Sequence, residues 1–466
     1  MMKIKVKNLG MLRQAEMELG DMTIICGLNN TAKTYTTYTI YGCFDYLKNE
    51  LELAVSESKL KELVERGTAQ IDLLEYEKTV LGQVQAGLKK YIPAIHRVLG
   101  AQEKLFLDAS LMLDDLEFKS NKDIVDKKVK FGKEEAFVIQ FSKLENESIL
   151  SITLTLQEEN LTKFPERIIK EEISDVLKTI FINGAIPKPF IASVERTGAA
   201  IFQRELDFNK SNLLDLLLQI EKREPDVNQK FFLRKYESNY PIPVRQNINF
   251  IRSIPEFLNQ ESFIQKEYPE ILENFNHIIG GELRVVKGGI FFVPHSNRTL
   301  RLSLVESSSS VRAMVDIGFY LRYKAQKGDI LMIDEPELNL HPKNQRLIAR
   351  LFARLINIGI KVFITTHSDY FIKELNTLIM LHYPDDRVKK IAQEEGYIVQ
   401  ELIDPTKIKV YIAKEALVLV AGNKKKTSVH TLKQADIDKN YGIEVETFDT
   451  TIVEMNRIQD SIIWGS

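Results

Sequence analysis

Residues Ile330 to Pro342 read ILMIDEPELNLHP, an apolar run that ends in two adjacent carboxylates, Asp334 and Glu335. A buried strand presents the residues at its carboxyl end to a ligand crevice, and paired acids there suit a metal ion and a water. The stretch predicts an α/β protein with a hydrolytic site at its strand ends.

Two further stretches supply the rest of such a site. Gly27 to Thr34 reads GLNNTAKT after the short apolar run Ile24, Ile25, Cys26. Glycine-opened turns of this kind cradle phosphates on backbone N–H groups at a helix N-terminus. Ile360 to Ile364 (IKVFI) is another strand pattern, and it ends in Thr365, Thr366, His367 and Ser368. Three strand ends therefore point to one nucleotide-hydrolysing site.

Each residue type has its task there. Gly27, Asn29, Asn30, Thr31 and Ala32 form the cradle, Lys33 reaches the terminal phosphates, and the Thr34 hydroxyl binds Mg²⁺. Asp334 shares the Mg²⁺, partly through water, and Glu335 polarises the attacking water. His367 meets the γ-phosphate with an imidazole N–H. A lone histidine is more often structural, but the company of the other two strand ends argues for function.

Composition narrows the class. With 466 residues, 44% hydrophobic and 27% charged, the chain can fill two or three cores and is neither membrane-embedded nor collagen-like. No run of about 18 apolar residues occurs, and Lys3, Lys5 and Lys7 alternate with Ile4 and Val6 as in a strand, so a cytoplasmic protein is expected. The two cysteines, Cys26 and Cys43, have no metal-site spacing and read as buried fillers. A net charge of -2 gives no global footprint for nucleic acid. The basic runs at Lys127, Lys128 and Lys130 and at Lys424 to Lys426 read as solvated loops, which leaves DNA contact open.

Periodicity divides the chain into an N-terminal core part (1–45), an insertion of helices and a β-hairpin (46–189), a core strand (190–208), a helical insertion (209–282) and a C-terminal core part (283–466). Within these, 46–100 reads as several short helices, and Phe137–Phe141 with Ile149–Leu156 reads as a hairpin. Leu283–Val293 and Leu300–Val305 read as strands. After His367 the pattern offers short strands at Val410–Ile412 and Leu417–Val420 and a last helix over 450–464.

Taken in this order, GLNNTAKT, the serines before a helix at Ser307 to Ser310, IDEPELNLHP and TTHSD resemble the ATP-binding-cassette ATPase heads of the SMC and OLD families. The resemblance implies an ABC-type P-loop head: a mixed sheet core, an antiparallel β-subdomain and largely helical insertions. It also implies ATP and Mg²⁺ sandwiched between two heads, each offering its serine-rich signature to the other's nucleotide. Ser308, Ser309 and Ser310 then act in trans, and Asn339 to His341 lie beside the seam. Two positions depart from the family pattern, Ala32 and Ser310, where glycine is usual. A Cβ there is tolerable only at negative φ and otherwise costs about 1 kcal/mol or more, so turnover is expected to be slow.

No sustained heptads separate Lys33 from Asp334, which disfavours a coiled-coil arm. Only 99 residues follow His367, and Glu415, Asp436 and Asp438 read as scattered surface acids, so no nuclease domain is expected. The leading expectation is a homo-oligomeric ATPase working with a separately encoded effector, nuclease or toxin, as in stand-alone ATPase subunits of bacterial anti-phage systems such as PARIS and Septu. A DNA repair or recombination ATPase and a nucleotide-locked scaffold with negligible turnover stand as alternatives.

Overall fold

A computed structural model describes residues 2–131, 137–156, 166–202, 240–419, 425–438, 441–444 and 454–462. The chain forms two compact units. The smaller comprises Met1–Ile4, Cys43–Pro93 and Leu111–Lys188, and the larger comprises Lys5–Gly42, Ala94–Ser110 and Pro189–Ser466. The stretch Ala94–Ser110, inside the 46–189 span, thus clusters with the larger unit.

In chain order the first strands are β1 (Lys3–Leu9), β2 (Leu12–Glu18), β3 (Met22–Gly27), β4 (Thr68–Asp72), β5 (Ser110–Asp114), β6 (Val125–Phe131), β7 (Phe137–Lys143) and β8 (Ile149–Leu156). They are followed by β9 (Pro189–Ala192), β10 (Gly281–Val286), β11 (Gly289–Pro294), β12 (Leu302–Ser303), β13 (Ile330–Asp334), β14 (Lys361–Thr366), β15 (Ile408–Val418) and β16 (Thr427–Gln434).

The sheet of the larger unit runs β1-β2-β16-β15-β3-β14-β13-β9. Five neighbours, β15, β3, β14, β13 and β9, are parallel, whereas β16 is antiparallel to β15, so the sheet is mixed. Every residue of β3 and β13 is buried, which is why parallel strands covered on both faces read as unbroken apolar runs. Register levels their ends: Cys26 pairs with Thr366 and Thr365 with Asp334, so the loops leaving β3, β14 and β13 emerge side by side. Helix Pro342–Asn357 follows the acid strand and buries Ile348, Leu351, Phe352 and Leu355, with Pro342 preset for the first turn and the His341 side chain as N-cap.

The antiparallel subdomain is the sheet β10-β11-β12. Leu283–Val293 is a hairpin rather than one strand: Lys287 and Gly288 both have positive φ, +51° and +77°, as a two-residue type I′ turn requires. The apolar residues on either side hide that turn from a periodicity argument. Between 209 and 282, residues 209–239 lie outside the described residues. Helices Ile242–Ser253, Phe263–Glu267 and Pro269–Ile279 occupy the rest.

In the smaller unit the sheet order is β4-β8-β7-β6, all antiparallel, and it contains the expected β7–β8 hairpin. Two of its strands correct the sequence expectations. β4 interrupts the supposedly all-helical 46–100 stretch, its polar alternation TAQID burying only Ala69 and Ile71. Lys127, Lys128 and Lys130 stand on β6, an edge strand rather than a loop, where lysines discourage pairing with another sheet. Helix Leu73–Tyr91 is a single 19-residue element capped by Asp72.

Beyond His367, β15 is one strand of 11 residues where two short ones were expected, and β16 was missed. Helices Asp369–Met380 and Asp386–Glu394 were also missed. Residues 454–462 are helical; Lys424, 445–453 and 463–464 lie outside the described residues. Cys26 and Cys43 are free, buried thiols that burial pushes far above the ordinary range. Among the described residues no helix is long and apolar enough to cross a membrane.

Candidate active site

The phosphate loop leaves β3 at Gly27, whose φ of +145° and whose approach to Ala413 make glycine necessary: a Cβ would lie 2.5 Å from the Ala413 carbonyl oxygen. Asn30 and Ala32 take left-handed φ values of +60° and +65°. Asparagine tolerates that region, whereas alanine is strained there. The helix that follows, Lys33–Asn49, has no acidic residue in its first turn, which suits its N-terminus to an anion.

Lys33 is buried, and its ammonium donates to the Gly27 and Leu28 carbonyls at 2.9 and 2.7 Å. Burial lowers its pKa, while Glu335, Asp334 and Glu337 oppose that fall. The Thr31 hydroxyl closes the loop on the Leu28 carbonyl at 2.7 Å. Asn29 and Asn30 are exposed.

At the end of β13, Asp334 is 1% exposed and accepts a hydrogen bond from the Thr365 hydroxyl. Burial raises its pKa to about 6, and the Thr365 and Thr34 hydroxyls offset part of that rise. Its Oδ2 has no hydrogen-bond partner, which is costly for a buried carboxylate unless a cation meets it. The donor set of Asp334 and the Thr34 hydroxyl, hard oxygens beside a phosphate cradle, fits Mg²⁺.

Glu335 has a φ of +55°, a strained conformation for a side chain with a Cβ. Its N–H is held by the Thr365 carbonyl and hydroxyl, each at 3.2 Å. The hydrogen bond with His367 lowers its pKa, and Glu335 in turn raises that of His367.

Two residues that bind this site together were given no role in the sequence argument. Glu337, the second glutamate of DEPE, is buried and accepts from the Thr366 hydroxyl and the His367 N–H, both at 2.8 Å, so it fixes the turn that carries the histidine. Burial raises its pKa. Arg196, just beyond β9, is fully buried and donates to the carbonyls of both Asp334 and Glu335 at 2.7 Å. Its place at a strand end was the available signal; its partners, all backbone, were not.

Ser308 caps the short helix Ser309–Ala313, accepting from the Val311 N–H, and its hydroxyl pairs with that of Ser310 at 2.8 Å. Ser310 lies inside that helix, so its Cβ is unstrained, unlike that of Ala32. Among the described residues these serines make no hydrogen bond to the phosphate loop or the acids. Glu415 instead faces His430 at 3.4 Å, and Asp438 accepts from the Tyr441 N–H.

A mixed α/β sheet with a phosphate loop, an acid strand and a third polar strand end in register defines a P-loop ATPase domain. Residues 1–372 match the family described as AAA ATPase domain, and the chain belongs to that family. A search of the curated proteins finds no match. Among solved structures, the SMC head domain from Thermotoga maritima is similar at 10% identity and a TM-score of 0.32, covering 93% of this chain and 98% of that one. An SMC head bound to the C-winged helix domain of ScpA scores 0.34 at 10% identity, covering 94% and 98%. The Pyrococcus furiosus Smc head with an extended coiled coil, bound to the C-terminal domain of ScpA, scores 0.32 at 12% identity, covering 98% and 100%. With scores this low, the fold rests on the chain's own topology.

Proposed function

We propose that this chain binds ATP with Mg²⁺, hydrolyses it, and closes as a homodimer around the nucleotide in the cytoplasm. The observation that carries the proposal is the buried Asp334 carboxylate, with one oxygen unpaired, beside Thr34 and Glu335 at the mouth of a phosphate loop. Lys33 exchanges its two loop carbonyls for phosphate oxygens, and Asp334 with Thr34 holds the metal. Mg²⁺, when bound, neutralises charge on the phosphate oxygens. Glu335, kept ionised by His367, orients and deprotonates the water, while His367 donates toward the terminal phosphate.

The serines of Ser308–Ser310 serve the nucleotide of the second copy in this proposal, and Asn339 to His341 border the seam. The finer role follows the motif resemblance: the ATPase senses infection and controls a separately encoded nuclease or toxin in anti-phage defence. Lys33→Ala tests the nucleotide site, and loss of ATP binding with an unchanged thermal melt is expected; binding at the parent level contradicts it. Co-purification from the native operon tests the role. A bound nuclease or toxin supports it, and a DNA end-processing complex contradicts it.

A further inference from the structure

We infer that Arg196 is a positioning residue that ties the seating of the serine-bearing helix Ser309–Ala313 to the aim of Glu335; the inference rests on the ATPase proposal. Among the described residues, all four hydrogen bonds of its guanidinium go to backbone carbonyls. Nε donates to Ala313 at 2.8 Å, Nη1 to Ser193 at 2.8 Å and Asp334 at 2.7 Å, and Nη2 to Glu335 at 2.7 Å. The guanidinium is planar, with donors at fixed angles, so it sets the spacing between the end of the serine helix and the acid pair.

The same turn reaches the phosphate-loop helix, because the Tyr38 hydroxyl donates to Glu195 at 2.9 Å. The phosphate-loop helix, the serine helix and the end of the acid strand are therefore joined at Glu195 and Arg196. Asp316, on the helix after the serines, is buried near the guanidinium, and among the described residues neither of its carboxylate oxygens has a hydrogen-bond partner.

The consequence concerns Glu335. Its left-handed backbone is held from both sides, by Thr365 at its N–H and by Arg196 at its carbonyl. When a second copy's nucleotide loads Ser308–Ser310, any displacement of Ala313 is transmitted through the guanidinium to that carbonyl. A buried charge whose hydrogen bonds, among the described residues, all go to carbonyls is a costly way to build a core, which favours a positioning task over simple packing.

Arg196→Lys keeps the charge and loses the fork. The expected result is an ATP Kd within about threefold of the parent and a kcat lower by about 10- to 100-fold. In that background Ser309→Ala should cost no further rate, although it slows the parent. Parent-level kcat in Arg196→Lys, or strictly additive effects of the two changes, overturns the inference. A parent with no turnover overturns the ATPase proposal and the inference with it, so the two failures are distinguishable.

Should Arg196→Lys fail to fold, hydrogen exchange on the parent and Ser309→Ala with Mg²⁺ and a non-hydrolysable ATP analogue decides the matter. Analogue-dependent protection of residues 334–337 that is lost in Ser309→Ala supports the coupling. Equal protection in both proteins overturns it.

Discussion

Nδ1 of His367 stands 3.4 Å from Oε1 of Glu335. The contact lowers the pKa of the glutamate and raises that of the histidine, so each partner favours the charged form of the other. Glu337 holds the same histidine in place through its backbone N–H. His367→Asn removes both the contact to Glu335 and the donor proposed to meet the phosphate. ATP affinity is expected to persist while kcat falls on the order of 10²-fold. Steady-state kinetics alongside equilibrium binding checks this, and an unchanged kcat would give the histidine a structural role.

The backbones of Ala32 and Ser310 have opposite consequences. Ala32 sits at a φ of +65°, so Ala32→Gly relieves strain and is expected to stabilise the fold by about 0.5–1 kcal/mol. Ser310 is helical, so Ser310→Gly is expected to cost about 0.5 kcal/mol and to lose the Ser308–Ser310 hydroxyl pair. Chemical denaturation of both variants measures the signs. The same sign for both would contradict the backbone argument.

Asp316 gives a pH dependence. Burial pushes its carboxyl from the ordinary 3.8 up to about 8. Between those values the folded chain keeps a proton that the unfolded chain has released, so stability falls as pH rises through that window. Asp316→Asn cannot ionise, so its melting temperature relative to the parent should increase from acidic pH to about pH 8 and level off beyond. Melts at acidic, neutral and alkaline pH check it, and a constant difference would remove Asp316 from the account.

What the sequence revealed follows from what each element buries. β3, β13 and β14 were legible because parallel strands covered on both faces read as apolar runs, and their polar ends announced the phosphate loop, the acids and the histidine. β4 was not, because TAQID buries two residues amid helical periodicity. The turn at Lys287–Gly288 was masked by apolar residues on both sides. Arg196 escaped a role because it recognises backbone carbonyls 117, 138 and 139 positions away, and carbonyls leave no mark on residue identity. Glu337 was visible in DEPE, but its task depends on Thr366 and His367 folding over it.

The central claim is that the ends of β3, β13 and β14 form one ATP-hydrolysing site with Glu335 as its base. Glu335→Gln keeps the shape of the side chain and removes its ability to take a proton. Measured beside the parent with Mg²⁺ and ATP, the variant is expected to bind ATP at least as tightly while its kcat drops by about 10²- to 10⁴-fold. Hydrolysis by Glu335→Gln at the parent rate would contradict the account.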